Sequence, residues 1–317
     1  MVLMSVLLLF VFAGCSSNET GSDNATNTDN SHNEQDSEGS EDSAQGGVLN
    51  VAINAQPPNL DPPTTAATAT RDTSRLIYET LLTTDSTYGV LPMLAESFDT
   101  DDNQTFVFHL REGIMFHNGK EMIAEDVIAS MERWLEKSPI TGSIFEGATW
   151  TVEDDYTVVL ELETPSALAL DTMATSKQYA AIMPKEVIDA APEEGVEEYI
   201  GTGPFEFVEW KQDQYLHFTK NEDYQSVDIE PDGLAGKKEV FIDDIYFVTD
   251  ASTRVAGLQT GEYDFAYSIP YDNYEQIDSD PNLNTHLMQS GVMVLHYNKA
   301  GGPAADVGVR KAINTGI

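Results

Sequence analysis

The sequence is poor in cysteine and in basic residues. Only one cysteine occurs among 317 residues, which excludes a disulfide framework within the chain and a zinc site built on two or more thiolates. Lysine and arginine together number 16 against 54 aspartates and glutamates, so the formal net charge is −38. A surface this acidic repels phosphate backbones and anionic lipid headgroups, which argues against nucleic-acid binding and against electrostatic docking on membranes.

Apolar residues are plentiful by comparison. Hydrophobic residues make up 41% of the chain and aromatic residues 9%, enough for the core of one large domain or of two ordinary ones. Residues 16–46 are the exception, because they contain no lysine, no arginine and no large apolar side chain. Such a segment cannot bury enough surface to offset its ordering entropy, and we expect it to be a disordered, acidic spacer.

The single cysteine, Cys15, follows a short apolar segment. Residues 2–12 are almost wholly apolar, too few for a bilayer crossing of roughly 20 residues but typical of an export signal. The run Phe12-Ala13-Gly14-Cys15 resembles the bacterial lipobox, which implies cleavage before the cysteine and lipidation of its thiol. The pattern departs from the lipobox at Phe12, where leucine is usual, and in the absence of a basic residue from 1–14. The alternative is a free cysteine in a short apolar leader.

From Val48 onward the patterning is that of a folded α/β protein. The clearest helix is predicted over 124–136, with a stripe of apolar residues and two acidic residues in its first turn. A second helix is predicted over 74–82. Short alternating or β-rich runs predict strands at 48–53, 105–110, 149–152, 156–162, 205–210, 215–219, 240–249, 265–269 and 292–298.

Catalytic motifs are absent from the sequence. It contains no nucleophile elbow, no zinc-protease motif and no P-loop, and Gly201-Thr202-Gly203-Pro204 lacks the third glycine of a dinucleotide loop. The six histidines are scattered singly. We therefore predict no enzyme activity, no cofactor and no metal site. The competing classes are a secreted hydrolase or transferase and a purely adhesive or sensory surface lipoprotein.

Several longer segments carry a family resemblance that covers nearly all of residues 48–317. In chain order they are Asn59-Leu60-Asp61-Pro62, Leu94 to Phe98, Thr105 to Gly119, Ala124 to Arg133, Gly201 to Phe205 and Arg254 to Asp264. Together these segments resemble the family 5 extracellular solute-binding proteins, the receptors of oligopeptide, dipeptide and nickel ABC importers. Near the end of the sequence, residues 306–314 resemble a helix that begins deep within the second lobe of that family. We therefore expect a truncated gene product or a sequence fragment.

The resemblance implies an α/β fold with mixed sheets and two lobes, of the type II periplasmic-binding-protein kind, with an extra subdomain in the first lobe and an incomplete second lobe. The expected domains are a signal peptide at 1–14, the lipidated cysteine and acidic tether at 15–46, the first lobe at 47–262, and the beginning of the second lobe at 263–317. Hinge closure over a ligand in the cleft is the expected motion.

The function implied is that of a lipid-anchored receptor on the extracytoplasmic face of the cell membrane. It would capture peptides and deliver them to an ABC permease and ATPase, with nickel or another small solute as the alternative ligand. The loop after the first strand is expected to bind an extended peptide, and tyrosines of the second lobe would supply aromatic surface, with ordinary rim packing as the alternative for them. The predicted ligand-binding residues are Gln56, Pro57, Pro58, Asn59, Leu60, Tyr267, Tyr271 and Tyr274, and, on the inserted subdomain, Trp150 and Tyr179.

The negative charge is spread over the whole chain. Eight acidic residues lie between Ser16 and Gly46, so −38 becomes −30 for the rest of the sequence. An acidic, lysine-poor surface stays hydrated in concentrated salt, where its self-repulsion is screened. We therefore predict a salt-loving source, and the alternative is a preference for cationic peptides.

Overall fold

A computed structural model describes residues 46–249, 253–287 and 294–316. Cys15, the predicted signal peptide and nearly all of the predicted tether lie outside the described residues. The strands are β1 (Val48–Ile53), β2 (Leu82–Thr84), β3 (Val90–Pro92), β4 (Ala95–Asp99), β5 (Thr105–Leu110), β6 (Thr149–Asp154), β7 (Thr157–Glu161), β8 (Phe205–Lys211), β9 (Tyr215–Lys220), β10 (Asp244–Thr249) and β11 (Phe265–Ala266). The α-helices are α1 (Thr68–Ser74), α2 (Ala124–Lys137), α3 (Ala169–Met173), α4 (Lys185–Ala190), α5 (Arg254–Thr260), α6 (Tyr274–Asp278) and α7 (Val307–Gly316).

The larger of the sheets is mixed and has the strand order β11-β1-β10-β9-β8. β1 is parallel to β10 and to β11, whereas β9 is antiparallel to both of its neighbours. One face of this sheet is buried in a hydrophobic core that includes Val51, Phe218 and Phe247. Because β11 pairs with β1, the sheet continues to Ala266, past the lobe boundary predicted at Glu262.

A four-stranded antiparallel sheet, in the order β4-β5-β7-β6, forms a second layer with α2. The predicted apolar stripe of α2 is confirmed, because Val127, Met131 and Trp134 are fully buried in the core that this sheet shares with the helix. At the start of α2, Ile123 offers no side-chain acceptor. The Asp126 carboxylate instead accepts the Ile123 N–H at 3.2 Å, which satisfies one of the donors that every helix leaves free at its first turn.

The helix predicted over 74–82 is wrong. α1 ends at Ser74, and the chain then pairs with a distant segment, since the Leu76 and Ile77 carbonyls accept the N–H groups of Phe205 and Gly203 at 3.0 and 2.8 Å. The apolar spacing that looked helical therefore reflects burial between distant parts of the chain.

Two of the other predicted strands are shorter than expected, and a third does not form in the residues that the structure describes. The strand predicted over 240–249 begins at Asp244, and the one predicted over 265–269 ends at Ala266. Residues 294–298 are not a strand, and 288–293 lie outside the described residues. Among the helices that are described, none combines the length and apolar character that a bilayer crossing requires.

Candidate ligand site at the ends of the parallel strands

The carboxyl ends of the parallel strands open onto a cavity of about 200 Å³. β1 and β11 end next to one another at Ile53 and Ala266, and the residues that follow each strand line the cavity together with α1. In α/β sheets this edge is the usual position of a ligand. The lining residues are Ile53, Asn54, Thr68, Ala69, Asp72, Thr73, Phe247, Tyr267 and Ser268.

Tyr267 is the predicted ligand residue that lies directly on this cavity. Its backbone N–H donates to the Ala52 carbonyl at 2.9 Å, and its ring packs edge-on against Phe265, 5.0 Å between centroids. The side chain is 40% exposed. Burial, and secondly the Asp72 carboxylate, raise the pKa of its hydroxyl, so the group stays a neutral hydrogen-bond donor at physiological pH. The next residue, Ser268, has a φ of 53°, a left-handed conformation that is strained for residues other than glycine.

The predicted loop after β1 is braced by its own side chains. The Asn59 carboxamide oxygen accepts the Asp61 N–H at 3.1 Å, and its NH₂ donates to the Thr64 hydroxyl at 3.1 Å. The Gln56 side-chain oxygen accepts the Asp213 N–H at 2.8 Å. These bonds fix the backbone before any ligand arrives, which lowers the entropy cost of binding.

The members of that loop differ in exposure. Pro58 is exposed, Gln56 and Asn59 are half-buried, and Pro57 and Leu60 are buried. Leu60 belongs to the core under the larger sheet. Its side chain therefore supports the loop from beneath, and its backbone is the part that remains for a ligand.

A buried ion pair fastens the end of this loop to α2. Arg133 donates from both guanidinium nitrogens to the two carboxylate oxygens of Asp61, at 2.9 and 2.5 Å, and Asp61 also accepts the Val196 N–H at 3.1 Å. Gly195 makes room for the carboxylate, because a Cβ there would lie 2.8 Å from an Asp61 oxygen. Asp61 and Arg133 both lie in segments that carry the family resemblance, but the sequence did not indicate that they pair with each other.

The remaining predicted aromatic residues fall into two groups. Tyr271 is 82% exposed and its ring is parallel to that of Tyr274, 6.4 Å between centroids, so this pair is free to receive a flat or apolar group. Trp150 is 7% exposed and packs on Phe108 within the core of the four-stranded sheet. The structure thus places the Trp150 ring in the interior and not on the cavity at the end of β1.

Tyr179 is also an interior residue, with 2% exposure. Its hydroxyl and that of Ser74 are 2.7 Å apart, and the Arg75 guanidinium lies over its ring at 5.8 Å. Burial raises the pKa of the Tyr179 hydroxyl, so it is neutral at all ordinary pH. Through its contacts with Ser74 and Arg75, Tyr179 packs against the C-terminal end of α1, the helix that lines the cavity.

The helix α1 and the residue after it add charges that were not predicted from the sequence. The Asp72 carboxylate lines the cavity and accepts the Arg71 Nε–H at 2.7 Å. Arg75 follows immediately after the helix. These residues were missed because the apolar spacing favoured a helix at 74–82 instead of 68–74, and a correct helix boundary would have placed all three charges near the loop after β1.

A larger cavity of about 600 Å³ lies between α2 and α4. None of the predicted ligand residues lines it, and several of its charged groups are already paired, Arg133 with Asp61 and Lys185 with Asp189. The smaller cavity is the better candidate for a ligand site, because the ends of parallel strands and an accessible tyrosine meet there. Among the described residues, no group of three or more His, Cys, Asp or Glu is arranged to hold a metal ion.

Comparison with known proteins gives the same family from sequence and from structure. A sequence model of the family described as Bacterial extracellular solute-binding proteins, family 5 Middle, matches residues 89–317. A probable peptide ABC transporter periplasmic-binding protein of Sinorhizobium fredii is 34% identical over 264 residues, covering 80% of this chain and 49% of that protein.

Two solved structures share the fold. DppA from Helicobacter pylori, in complex with the peptide STSA, has a TM-score of 0.63 and 26% identity, covering 75% of this chain and 50% of that one. NikA from Brucella suis, in complex with Fe(III)-EDTA, has a TM-score of 0.70 and 25% identity, covering 84% of this chain and 54% of that one. These neighbours are two-lobed periplasmic binding proteins. The chain spans about half the length of the proteins it matches.

Proposed function

This chain belongs to family 5 of the bacterial extracellular solute-binding proteins, and we propose that it is part of a receptor that captures peptides for an ABC importer. The observation that carries the proposal is the cavity at the ends of the parallel strands, which Asn54, the first residue after β1, lines together with Tyr267. The preformed loop 56–60 continues the chain from Asn54 and is not itself part of the cavity lining; it suits an extended peptide held by backbone hydrogen bonds. Phe247 and Tyr267 give the cavity an aromatic wall that suits side chains of varied shape. The names of the S. fredii relative and of the H. pylori complex, which holds a peptide, support the same ligand class.

Within this proposal the predicted residues act in two ways. Gln56, Pro58, Asn59 and Tyr267 border the ligand directly, and the stacked pair of Tyr271 and Tyr274 contacts its outer part. Pro57, Leu60 and Tyr179 hold those surfaces in place from the interior, whereas Trp150 packs within the core of the four-stranded sheet. We also propose that residues 47–262 and 263–317 belong to two lobes and that the second lobe closes over the ligand.

The receptor is proposed to work without bond chemistry, at the extracytoplasmic face of the cell membrane, held there by a lipid on Cys15. Delivery then requires an ABC permease and its ATPase as partners. The anchor is tested by mass spectrometry of the membrane-extracted protein. We expect a diacylglyceryl group on an N-terminal Cys15. In Cys15→Ala both this group and the membrane association should be lost. An unmodified cysteine in membrane-extracted protein would contradict the anchor.

Isothermal titration of the full-length protein with defined di- to pentapeptides tests the ligand class. We expect saturable heat with at least some free peptides and no change in their composition after prolonged incubation. Titration of nickel chelates is the parallel arm, because the B. suis neighbour holds a metal chelate. If the chelate binds saturably and no peptide gives heat, the protein is a small-solute receptor instead of a peptide receptor. Cleaved peptides would indicate an enzyme.

A further inference from the structure

On the α1 side of the small cavity two arginines stand against one aspartate, so the local charge is positive whereas the molecule as a whole is strongly negative. The ionisable acid on its wall is Asp72, and the Arg71 guanidinium already neutralises that negative charge in an ion pair of 2.7 Å. Arg75, one residue beyond the end of α1, then leaves a local excess of positive charge. In a chain with 16 basic residues against 54 acidic ones, such an excess next to a cavity needs a specific reason.

Arg75 is held in place but uses little of its bonding capacity. Its guanidinium lies over the Tyr179 ring at 5.8 Å and donates one long bond, 3.4 Å, to the Ser176 carbonyl. Within the described residues, no carboxylate lies within 4.0 Å of it. An arginine has five N–H donors in a planar fork that fits a carboxylate in a bidentate way, and here most of them remain available.

Arg75 is not itself one of the residues that line the cavity, but it directly follows α1, whose Thr68, Ala69, Asp72 and Thr73 do line it. Tyr267, on the opposite wall, lies within electrostatic range of both Arg75 and Arg71, which act on its hydroxyl against the effect of Asp72. The Tyr179 ring lies beneath the guanidinium, and the half-buried setting of Arg75 weakens the competition from water.

We propose that Arg75 is a specificity-determining residue that receives a carboxylate of the bound ligand at the rim of this cavity. The inference rests on the proposed function and narrows it, because the ligand class becomes peptides that present a carboxylate to the α1 side of the site. That carboxylate comes from the peptide C-terminus or from an acidic side chain. In a molecule of this net charge, a local cation also offsets the long-range repulsion that an anionic ligand would otherwise meet.

The test compares three synthetic pentapeptide libraries on the full-length protein, with retained peptide measured by mass spectrometry after gel filtration. The first library has free C-termini and no Asp or Glu, the second is the same library with amidated C-termini, and the third is amidated with Asp at one position. We expect the wild-type protein to retain the first library about tenfold or more above the second, the size of effect for a charge-assisted hydrogen bond. Retention of the third library instead of the first would assign the carboxylate to a side chain and would equally support the proposal.

Variants separate the role of Arg75 from a structural one. Arg75→Gln should abolish the preference between carboxylate and amide, and Arg75→Lys should keep part of it, because the charge remains but the planar fork is lost. Lys177→Gln is the control. It removes one positive charge from an exposed residue that lies two positions before Tyr179 in the sequence, and it should keep the full preference for carboxylate over amide. Equal retention of the three libraries by the wild-type protein, or an unchanged preference in a folded Arg75→Gln, overturns this inference while peptide binding stands. Retention of none of them by the wild-type protein overturns the peptide receptor itself.

Discussion

At the scale of single residues, Asp61 and Arg133 determine whether the loop after β1 stays in place. Asp61 is fully buried and Arg133 is 8% exposed, so each ion depends on the other for its stabilisation. Arg133→Met leaves the Asp61 carboxylate buried without its partner, and we expect the free energy of unfolding to fall by about 3–5 kcal/mol. Urea denaturation followed by circular dichroism measures this loss.

The double variant Asp61→Asn with Arg133→Met is the informative control. It removes both charges and should recover part of the stability, because the cost lies in the unpaired ion and not in the missing bond. Lys185→Met breaks the surface pair with Asp189 and should change stability little. A loss of similar size in Lys185→Met and Arg133→Met would show that the unpaired charge of Asp61 is not what destabilises the Arg133 variant.

His117 makes stability depend on pH. Its Nε2 donates to the Gly203 carbonyl at 3.0 Å, and its Nδ1 accepts the Gly201 N–H at 3.4 Å, which suits the neutral ring. Burial lowers the pKa of His117, although the bond to Gly203 and the Glu79 carboxylate oppose the shift. Because the folded pKa lies below the unfolded value of about 6.5, the stabilising contribution is complete above that value and is lost as the pH falls through the folded pKa.

The measurement is the urea midpoint at pH 7.5 and at pH 5. The wild-type protein should lose more stability between the two than His117→Gln, whose amide can still donate to one carbonyl without taking up a proton. His109→Gln is the matched control, because it makes the same substitution at a histidine whose side chain is 45% exposed. The same pH dependence in His117→Gln and in the wild-type protein would exclude His117 as the titrating group.

At the scale of secondary structure elements, Gly201 packs closely against the chain that follows α1. A Cβ on Gly201 would lie 2.1 Å from the Ile77 carbonyl oxygen and 2.7 Å from the Tyr78 ring, so the two segments must separate. Gly201→Ala should therefore cost about 1–3 kcal/mol of unfolding free energy, as overpacking does elsewhere. Gly301→Ala, with no atom within 4 Å of its added Cβ, should not, and thermal unfolding of the two variants side by side tests the difference.

The same contact shows what the sequence could and could not predict. β5 and α2 were predicted within a residue of their bounds, because an alternating strand and an amphipathic helix carry their period locally. α1 was misplaced, since the burial that ends it comes from residues more than a hundred positions away. The candidate site followed the same division. The resemblance indicated the loop after β1 and Tyr267, whereas Asp72 and Arg75 became visible only with the correct helix.

At the scale of the whole molecule, charge dominates. Acidic side chains outnumber basic ones by 38, and many of the ion pairs that do form lie at the surface, such as Lys237 with Glu239 and Lys220 with Glu222. Exposed pairs of this kind add little stability in dilute salt. The folded state therefore carries a net repulsion that its own cations cannot cancel, and the solvent has to supply the counterions.

This repulsion predicts that the melting temperature rises between low and molar sodium chloride, because the Debye length falls from about 30 Å at 0.01 M to about 3 Å at 1 M.

Salt also strengthens apolar burial, so a charge-reduced variant is needed to isolate the electrostatic part of the rise. Glu193, Glu194, Glu197 and Glu198 are exposed and close together in the sequence. Changing all four to glutamine should raise the melting temperature in low salt and flatten its dependence on salt, because less repulsion remains to be screened. A wild-type melting temperature that does not rise with salt, or a variant with an undiminished rise, would remove the argument for a salt-loving source.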